Sequence, residues 1–181
     1  MTNPVTFERE LTLDQLQDLV KSGQYKIEVD SPDGFVPVTH FLHHGFRPCV
    51  KLTLKTHGQF STIECSIDHK IEVLELSHVA NSDKLTQEQD LLWIEAQWLS
   101  PGDQIRGDCG HTTSVRALEH TGTKEVFDLT VDHTASHGHH RFYADGVSVH
   151  NCIAGDALLE VELIEVTDPS DATHFVDQTL R

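Results

Sequence analysis

The chain has 181 residues, 38% apolar and 23% charged, a balance that suits one folded domain and includes no run long enough to cross a bilayer. Its 29 acidic residues against 13 Lys and Arg give a net charge of −16, which repels phosphate backbones and anionic lipid surfaces and argues against nucleic-acid and membrane partners. MTNPVTFERE lacks the basic start and apolar stretch of a secretory leader, and Cys49, Cys65, Cys109 and Cys152 show no C-x-x-C spacing, so a reduced, cytoplasmic monomer is expected.

In chain order, LTLDQLQDLVKSG carries Leu13, Leu16, Leu19 and Val20 at three- and four-residue intervals, which predicts a helix capped by Thr12 and ended by Gly23. The period then changes to two. Tyr25, Ile27 and Val29 alternate with polar residues, SPDG turns the chain, and Phe35-Val36-Pro37-Val38 resumes an extended run. CVKLTLKTHGQFSTIECSIDHKIEVLEL continues the alternation, with Thr56-His57-Gly58-Gln59 as a hairpin connection. The polar stretch with Leu91-Leu92 between Thr86 and Trp93 predicts a further helical turn or two. WIEAQWLSPGDQIRG, VRALEHTGTKEVFDLTV and HRFYADGVSVHN then read as short strands closed by Gly, Pro or Asp. Many short strands, frequent turns and one or two short helices predict a single all-β domain over 1–181, without repeat or linker.

Two segments carry chemistry. DHTASHGHHRF holds His133, His137, His139 and His140 within eight positions. Their spacing matches no closed zinc or copper site, so adventitious binding is expected rather than a structural metal, and neither metal nor cofactor is assigned. In the second segment, SVHNCIAGD, the amide of Asn151 can attack its own main-chain carbonyl, closing a succinimide and releasing the next residue as a free amine. That reaction needs a group to polarise the carbonyl or protonate the leaving nitrogen, and His150 has a suitable side chain. Cys152 adds a thiol able to accept an acyl group as thiolate.

The pattern VFDLTV, polar loop, HRFYADGVSVHNC resembles the closing motifs of inteins, the self-splicing elements that end in His-Asn before Cys, Ser or Thr. IECSIDHKIEV resembles their internal Thr-x-x-His motif, with Ser66 in place of Thr before His69; Ser keeps the hydroxyl and loses the methyl. WIEAQWLSPGDQI, with Gly102-Asp103, resembles their connecting strand pair, and SPDGFVPV their early strand-turn-strand. The resemblance implies a horseshoe-like HINT (hedgehog/intein) fold. The strand regions that would flank an endonuclease lie too close together in sequence to hold one.

It also implies roles. His69 would strain or protonate the amide at the upstream splice junction, with the Ser66 hydroxyl available for hydrogen bonding. Asp128 would relay protons near both junctions, His140 would help Asn151 act as a nucleophile, and His150 would assist succinimide closure. Partners would be flanking exteins and a complementary intein fragment, in a prokaryotic or phage-infected cell.

An intein opens with Cys, Ser or Ala, then Gly-Asp and an alternating strand, and the head of this chain has none of these. CIAGDALLEVELIEV does, with Cys152, Gly155-Asp156 and then Leu158, Leu159, Val161, Leu163 and Val166. The preferred reading is therefore a circular permutation of an intein split close to its start: 1–151 as the C-terminal piece, 152–181 as the N-terminal piece. Residues 167–181 and 1–9 would be the two ends of one interrupted loop, and the strand bearing Leu159, Val161 and Leu163 would sit within the sheet. Cys152 would take the upstream acyl group, a downstream nucleophile would receive it, and Asn151 cyclisation would release the ligated product. Three alternatives stand beside it. Residues 152–181 are a native extein beginning at Cys152, or the chain is a hedgehog-type or bacterial intein-like self-cleaving domain, or it is a non-catalytic His-rich metal-binding β domain.

Overall fold

The protein is described here by a computed structural model covering residues 6–150, 153–155 and 157–177. β1 (Thr6–Thr12) leads into α1 (Leu13–Lys21), followed by β2 (Tyr25–Val29), β3 (Val36–Thr56), β4 (Gln59–Ser66) and β5 (Lys70–Glu75). A hairpin of β6 (Thr86–Glu88) and β7 (Leu91–Glu95) precedes β8 (Gln104–Arg106) and β9 (Thr112–Val131). The chain closes with β10 (Phe142–Ala144), β11 (Val147–His150), β12 (Ile153–Ala154), β13 (Leu158–Glu165) and β14 (His174–Asp177). The expected all-β character holds, with α1 as the α-helix among the described residues.

Local signals explain most of these elements. Thr12 caps α1 by accepting from the Gln15 N–H at 3.2 Å while the Gln15 side chain returns the bond to Thr12, a reciprocal capping box. Leu13, Leu16 and Val20 are buried on one face, and Gly23, at φ 69°, ends the turn. His57 and Gly58 both take positive φ, the requirement of a tight hairpin turn, and Thr56 pairs with Gln59 across it.

β3 and β9 are long strands paired antiparallel from Val38–Val131 to Lys55–Ser114, and four register shifts bend the ribbon. The strands are ordered β1-β13-β2-β3-β4-β12-β9-β8-β5-β11-β10, with β14 parallel to β3 and β7 pairing β5 and β6. Phe41, Leu52, Leu54, Ile63, Ile71, Ile94 and Phe127 fill one hydrophobic core, joined by Ala157, Leu159, Val161 and Leu163 from the end of the chain.

Two expectations are corrected. Thr86–Trp93 is a β-hairpin, not a helical turn: Thr86 pairs Trp93, Gln87 pairs Leu92 and Glu88 pairs Leu91, around a turn that Gln89 makes at φ 56°. Leu91 and Trp93 face the interior while Leu92 lies between them, so the true period is two. Nor are the described parts of 1–9 and 167–181 two ends of one loop. Thr6–Thr12 pairs along β13, and His174–Asp177 pairs with His40–His43.

Candidate functional site

The site begins with the turn between β4 and β5. Ser66 ends β4, and its carbonyl accepts from the His69 N–H at 3.0 Å. Neighbouring chain holds the turn: Ile67 N–H donates to Pro48 O at 3.0 Å, Gln97 N–H to Ile67 O at 3.0 Å and Ala96 N–H to His69 O at 2.7 Å. Ser66 and His69 are both buried, so each is presented to the interior rather than to water.

β11 comes alongside this turn. Val149 pairs Ile71 and His150 pairs Lys70, so the end of β11 meets the residue that follows His69. The His150 ring packs edge-on against Trp93 with centroids 5.6 Å apart, and the His140 ring lies 6.4 Å from it in a similar edge arrangement. His140 sits at φ 55°, a left-handed conformation that costs a non-glycine residue roughly 1–3 kcal/mol and persists only where its surroundings enforce it. Its Nε2 lies 2.8 Å from His133 Nδ1, and its N–H donates to the Ser136 hydroxyl at 3.3 Å.

β12 lies between β4 and β9, where Ile153 pairs with Cys65 on one side and Phe127 on the other. Ser66 and Asp128 are each one residue further along their strands, toward the start of β12. Burial pushes the Asp128 carboxyl up from 3.8 to about 7, opposed by the Leu129 N–H that donates to its Oδ1 at 2.8 Å. A carboxyl poised there exists in both protonation states near neutrality, the condition for giving and taking a proton.

Asn151, Cys152 and Asp156 lie outside the described residues. The remaining predicted site residues are Ser66 with His69 on one turn, His140 with His150 in ring contact, and Asp128 on β9. The pairings of Lys70 with His150 and of Ile153 with Cys65 and Phe127 bring both groups, and Asp128, to the chain on either side of 151–152. Among the described residues no three His, Cys, Asp or Glu are grouped to hold a metal ion. His139, which the composition offered as a ligand, lies instead at 3.0 Å from Asp33 Oδ1 and 3.5 Å from Asp90 Oδ1. A cavity of about 390 Å³, lined by residues including Glu10, Asp30, Tyr143 and Glu160, takes in none of the predicted residues.

A buried ionic network behind the histidines was not anticipated. Arg141 donates from Nη1 to Glu72 Oε1 at 2.6 Å, from Nε to Asp33 Oδ2 at 3.0 Å and from Nη2 to Asp33 Oδ1 at 3.2 Å. Ser148 Oγ donates to the same Glu72 oxygen at 2.8 Å, and Arg106 Nε bonds the other. An Arg adjoining the His-x-Phe histidine was a signal in HHRF, but nothing local in KIEVLE separates Glu72 from a water-facing strand residue.

Neither a protein-family model nor a curated protein matches the sequence. Solved structures do. The chain is similar to the VidaL intein (selenomethionine variant) at 27% identity, covering 80% of this chain and 83% of that one with a TM-score of 0.59. It is similar in fold to a DnaB intein from Synechocystis sp. PCC 6803 at 20% identity, covering 82% and 98% of the two chains with a TM-score of 0.51.

Proposed function

We propose that this chain, an intein-type HINT domain, processes its own backbone at the Asn151–Cys152 bond and descends from a protein-splicing element acting in trans. The observation carrying this reading is the convergence of Ser66, His69, Asp128, His140 and His150 on the strand ends that flank residues 151–152. A substrate that is part of the same chain needs no ligand cavity, and its tethering supplies the positioning that a bound substrate would need.

Two reactions compete for that bond. In one, the Cys152 sulfur attacks the Asn151 carbonyl carbon, the C–N bond breaks, and the Cys152 nitrogen takes a proton to leave a thioester and a free amine. His69, with Asp128 as proton relay, assists this step. In the other, the Asn151 side-chain nitrogen attacks the same carbonyl carbon, the same C–N bond breaks, and a succinimide ends residues 1–151. His140 promotes the attack and His150 protonates the leaving nitrogen. With no extein between Asn151 and Cys152, cleavage is available here and ligation of foreign sequence is not.

The position of the last strands supports reading 152–181 as an N-terminal intein piece rather than a host extein. β13 is flanked by β1 and β2, and β12 by β4 and β9, so both complete the sheet from within. The carbonyls of Gly155 and Ala157 accept from the Asp14 and Leu13 N–H groups at 3.0 and 3.2 Å, satisfying donors that the first turn of α1 leaves open. An extein has no reason to supply these contacts.

Intact-mass measurement after incubation, with and without an added thiol, tests the chemistry. The expected products are residues 1–151 lighter by one water than the free acid, and, with thiol, residues 1–151 as the thiol's ester. A chain that stays whole under both conditions overturns the reading. For the permutation, residues 1–151 extended by a tagged Cys-started peptide are mixed with a tagged partner fused to 152–181. Ligated product is expected; folded fragments that only cleave would favour a self-cleaving domain, and inert ones the extein reading.

A further inference from the structure

The two residues flanking His140 are both tied to one carboxylate. His139 Nδ1 lies 3.0 Å from Asp33 Oδ1, and Arg141 donates to both Asp33 oxygens at 3.0 and 3.2 Å. Asp33 is fixed in turn. Its N–H donates to Ser31 Oγ at 3.0 Å, Ser31 Oγ donates to Gly34 O at 2.6 Å, and Gly34 N–H closes the turn onto Ser31 O at 3.0 Å. A backbone bond from Tyr143 N–H to Asp30 O at 2.9 Å ties the same turn to the far side of Arg141. The Arg141 guanidinium then reaches across to Glu72 on β5, the strand that pairs with His150.

His140 therefore occupies a strained, left-handed position between two anchored neighbours. Its N–H bond to Ser136 Oγ and the 2.8 Å approach of its Nε2 to His133 Nδ1 hold it from the preceding loop, and the anchored neighbours hold the backbone on either side. We infer that Asp33 is a positioning residue for His140: through Arg141 and His139 it sets the orientation of the His140 ring toward His150, and so the rate at which Asn151 cyclises. A fork-shaped guanidinium is needed at 141 because a point charge cannot bridge Asp33 and Glu72 in fixed geometry. The inference rests on the reading of His140 as the histidine that promotes Asn151 attack.

The full chain supplies two separable readouts at one bond. Asn151 cyclisation leaves a succinimide, whereas attack by Cys152 followed by an added thiol leaves a thiol ester, and intact mass distinguishes them. Asp33→Asn and Arg141→Lys are expected to slow initial succinimide formation by roughly ten- to hundredfold, within the contribution of a positioned acid or base, while the thiol-ester route changes less than about twofold. Asp33→Glu, which keeps the charge, should recover most of the loss. Equal slowing of both routes would reduce the network to a general support of the fold and overturn the inference, as would an unchanged succinimide rate.

A second measurement stands without any cleavage. Long-range nitrogen–proton spectra of histidine-labelled chain, with His140 assigned by its loss in His140→Gln, should show its ring nitrogens shifted in Asp33→Asn and restored in Asp33→Glu. Unmoved His140 signals overturn the clamp. A wild-type chain that forms no succinimide refutes the proposed chemistry, while the His140 spectra still decide whether Asp33 orients that ring.

Discussion

Asp128 and Asp33 show how similar carboxyls are driven apart by their surroundings. Burial raises Asp128 to about 7, and the opposing Leu129 N–H is too little to offset it. Burial also acts upward on Asp33, but hydrogen bonds and charge from Arg141 and His139 outweigh it and hold that carboxyl below the usual range. The linkage signs are opposite. For Asp128 the folded pKa lies above the unfolded one, so the native state binds the extra proton between them; its stabilising contribution is full below the unfolded value and lost as pH rises through about 7. For Asp33 the contribution is present above the unfolded value and lost only as pH falls through the depressed folded one, so Asp33 keeps its charge throughout the Asp128 window. Asp128→Asn should therefore cost little or even stabilise at neutral and alkaline pH. Urea denaturation at about pH 5 and about pH 8 should show the variant gaining on the wild type by up to roughly 3 kcal/mol at the higher pH, since about two units of the raised interval lie above pH 5 and each is worth about 1.4 kcal/mol. A stability difference that does not change with pH would remove Asp128 as the group that titrates near neutrality.

Among the elements, the start of α1 meets the end of the chain at Gly155 and Ala157. A Cβ at Gly155 would overlap the Asp14 carboxylate, and the Gly155 carbonyl already accepts the Asp14 N–H, so the residue can neither grow nor move away freely. Gly155→Ala should destabilise the fold by about 0.5–1.5 kcal/mol, the cost of pushing the exposed Asp14 carboxylate off its rotamer, and pairing it with Asp14→Ala, which removes the overlapped atoms, should recover at least half of that. Additive losses in the four-member cycle, measured by denaturant unfolding, would rule out the clash. This junction was legible in outline, because Gly-Asp followed by an alternating strand marks Gly155 in the sequence, and the Thr12 cap marks where α1 begins. Other elements were not. Among the described residues β1 pairs with β13 alone, so TFERELT keeps mostly exposed side chains and carries no alternation to read. In the β6–β7 hairpin the adjacent Leu91 and Leu92 hide a period of two. Glu72 alternates with Ile71 and Val73 as a water-facing residue would, and the arrival of Arg106, Arg141 and Ser148 from later in the chain turns that face into an interior one. The histidines and Asp128 were expected from motif order, a local chain pattern; the ions beside His140 depend on contacts that no local pattern encodes.

At the scale of the whole molecule, charge and burial act against each other between the two proposed pieces. Residues 152–181 carry Asp156, Glu160, Glu162, Glu165, Asp168, Asp171 and Asp177 against Arg181, a net −6, which leaves −10 for residues 1–151. Long-range forces therefore oppose their meeting, and attraction must come from short-range burial and strand pairing. The sheet provides both: Leu159, Val161 and Leu163 enter the core, each worth roughly 1.5–3 kcal/mol when fully removed from water, while β13 hydrogen-bonds on both edges. Like-charge pairs persist within that contact, since Glu8 lies opposite Glu162 and Glu10 opposite Glu160, and Glu28 flanks Glu162 from β2. Added salt shortens the reach of repulsion, from about 30 Å at 0.01 M to about 10 Å at 0.1 M, without weakening apolar burial. Separate 1–151 and 152–181 should therefore associate faster as salt rises, the reverse of fragments steered together by opposite charge. Stopped-flow association over that range of ionic strength is the measurement, and a rate that falls with salt would mean that attraction between unlike local patches outweighs the repulsion implied by the net charges.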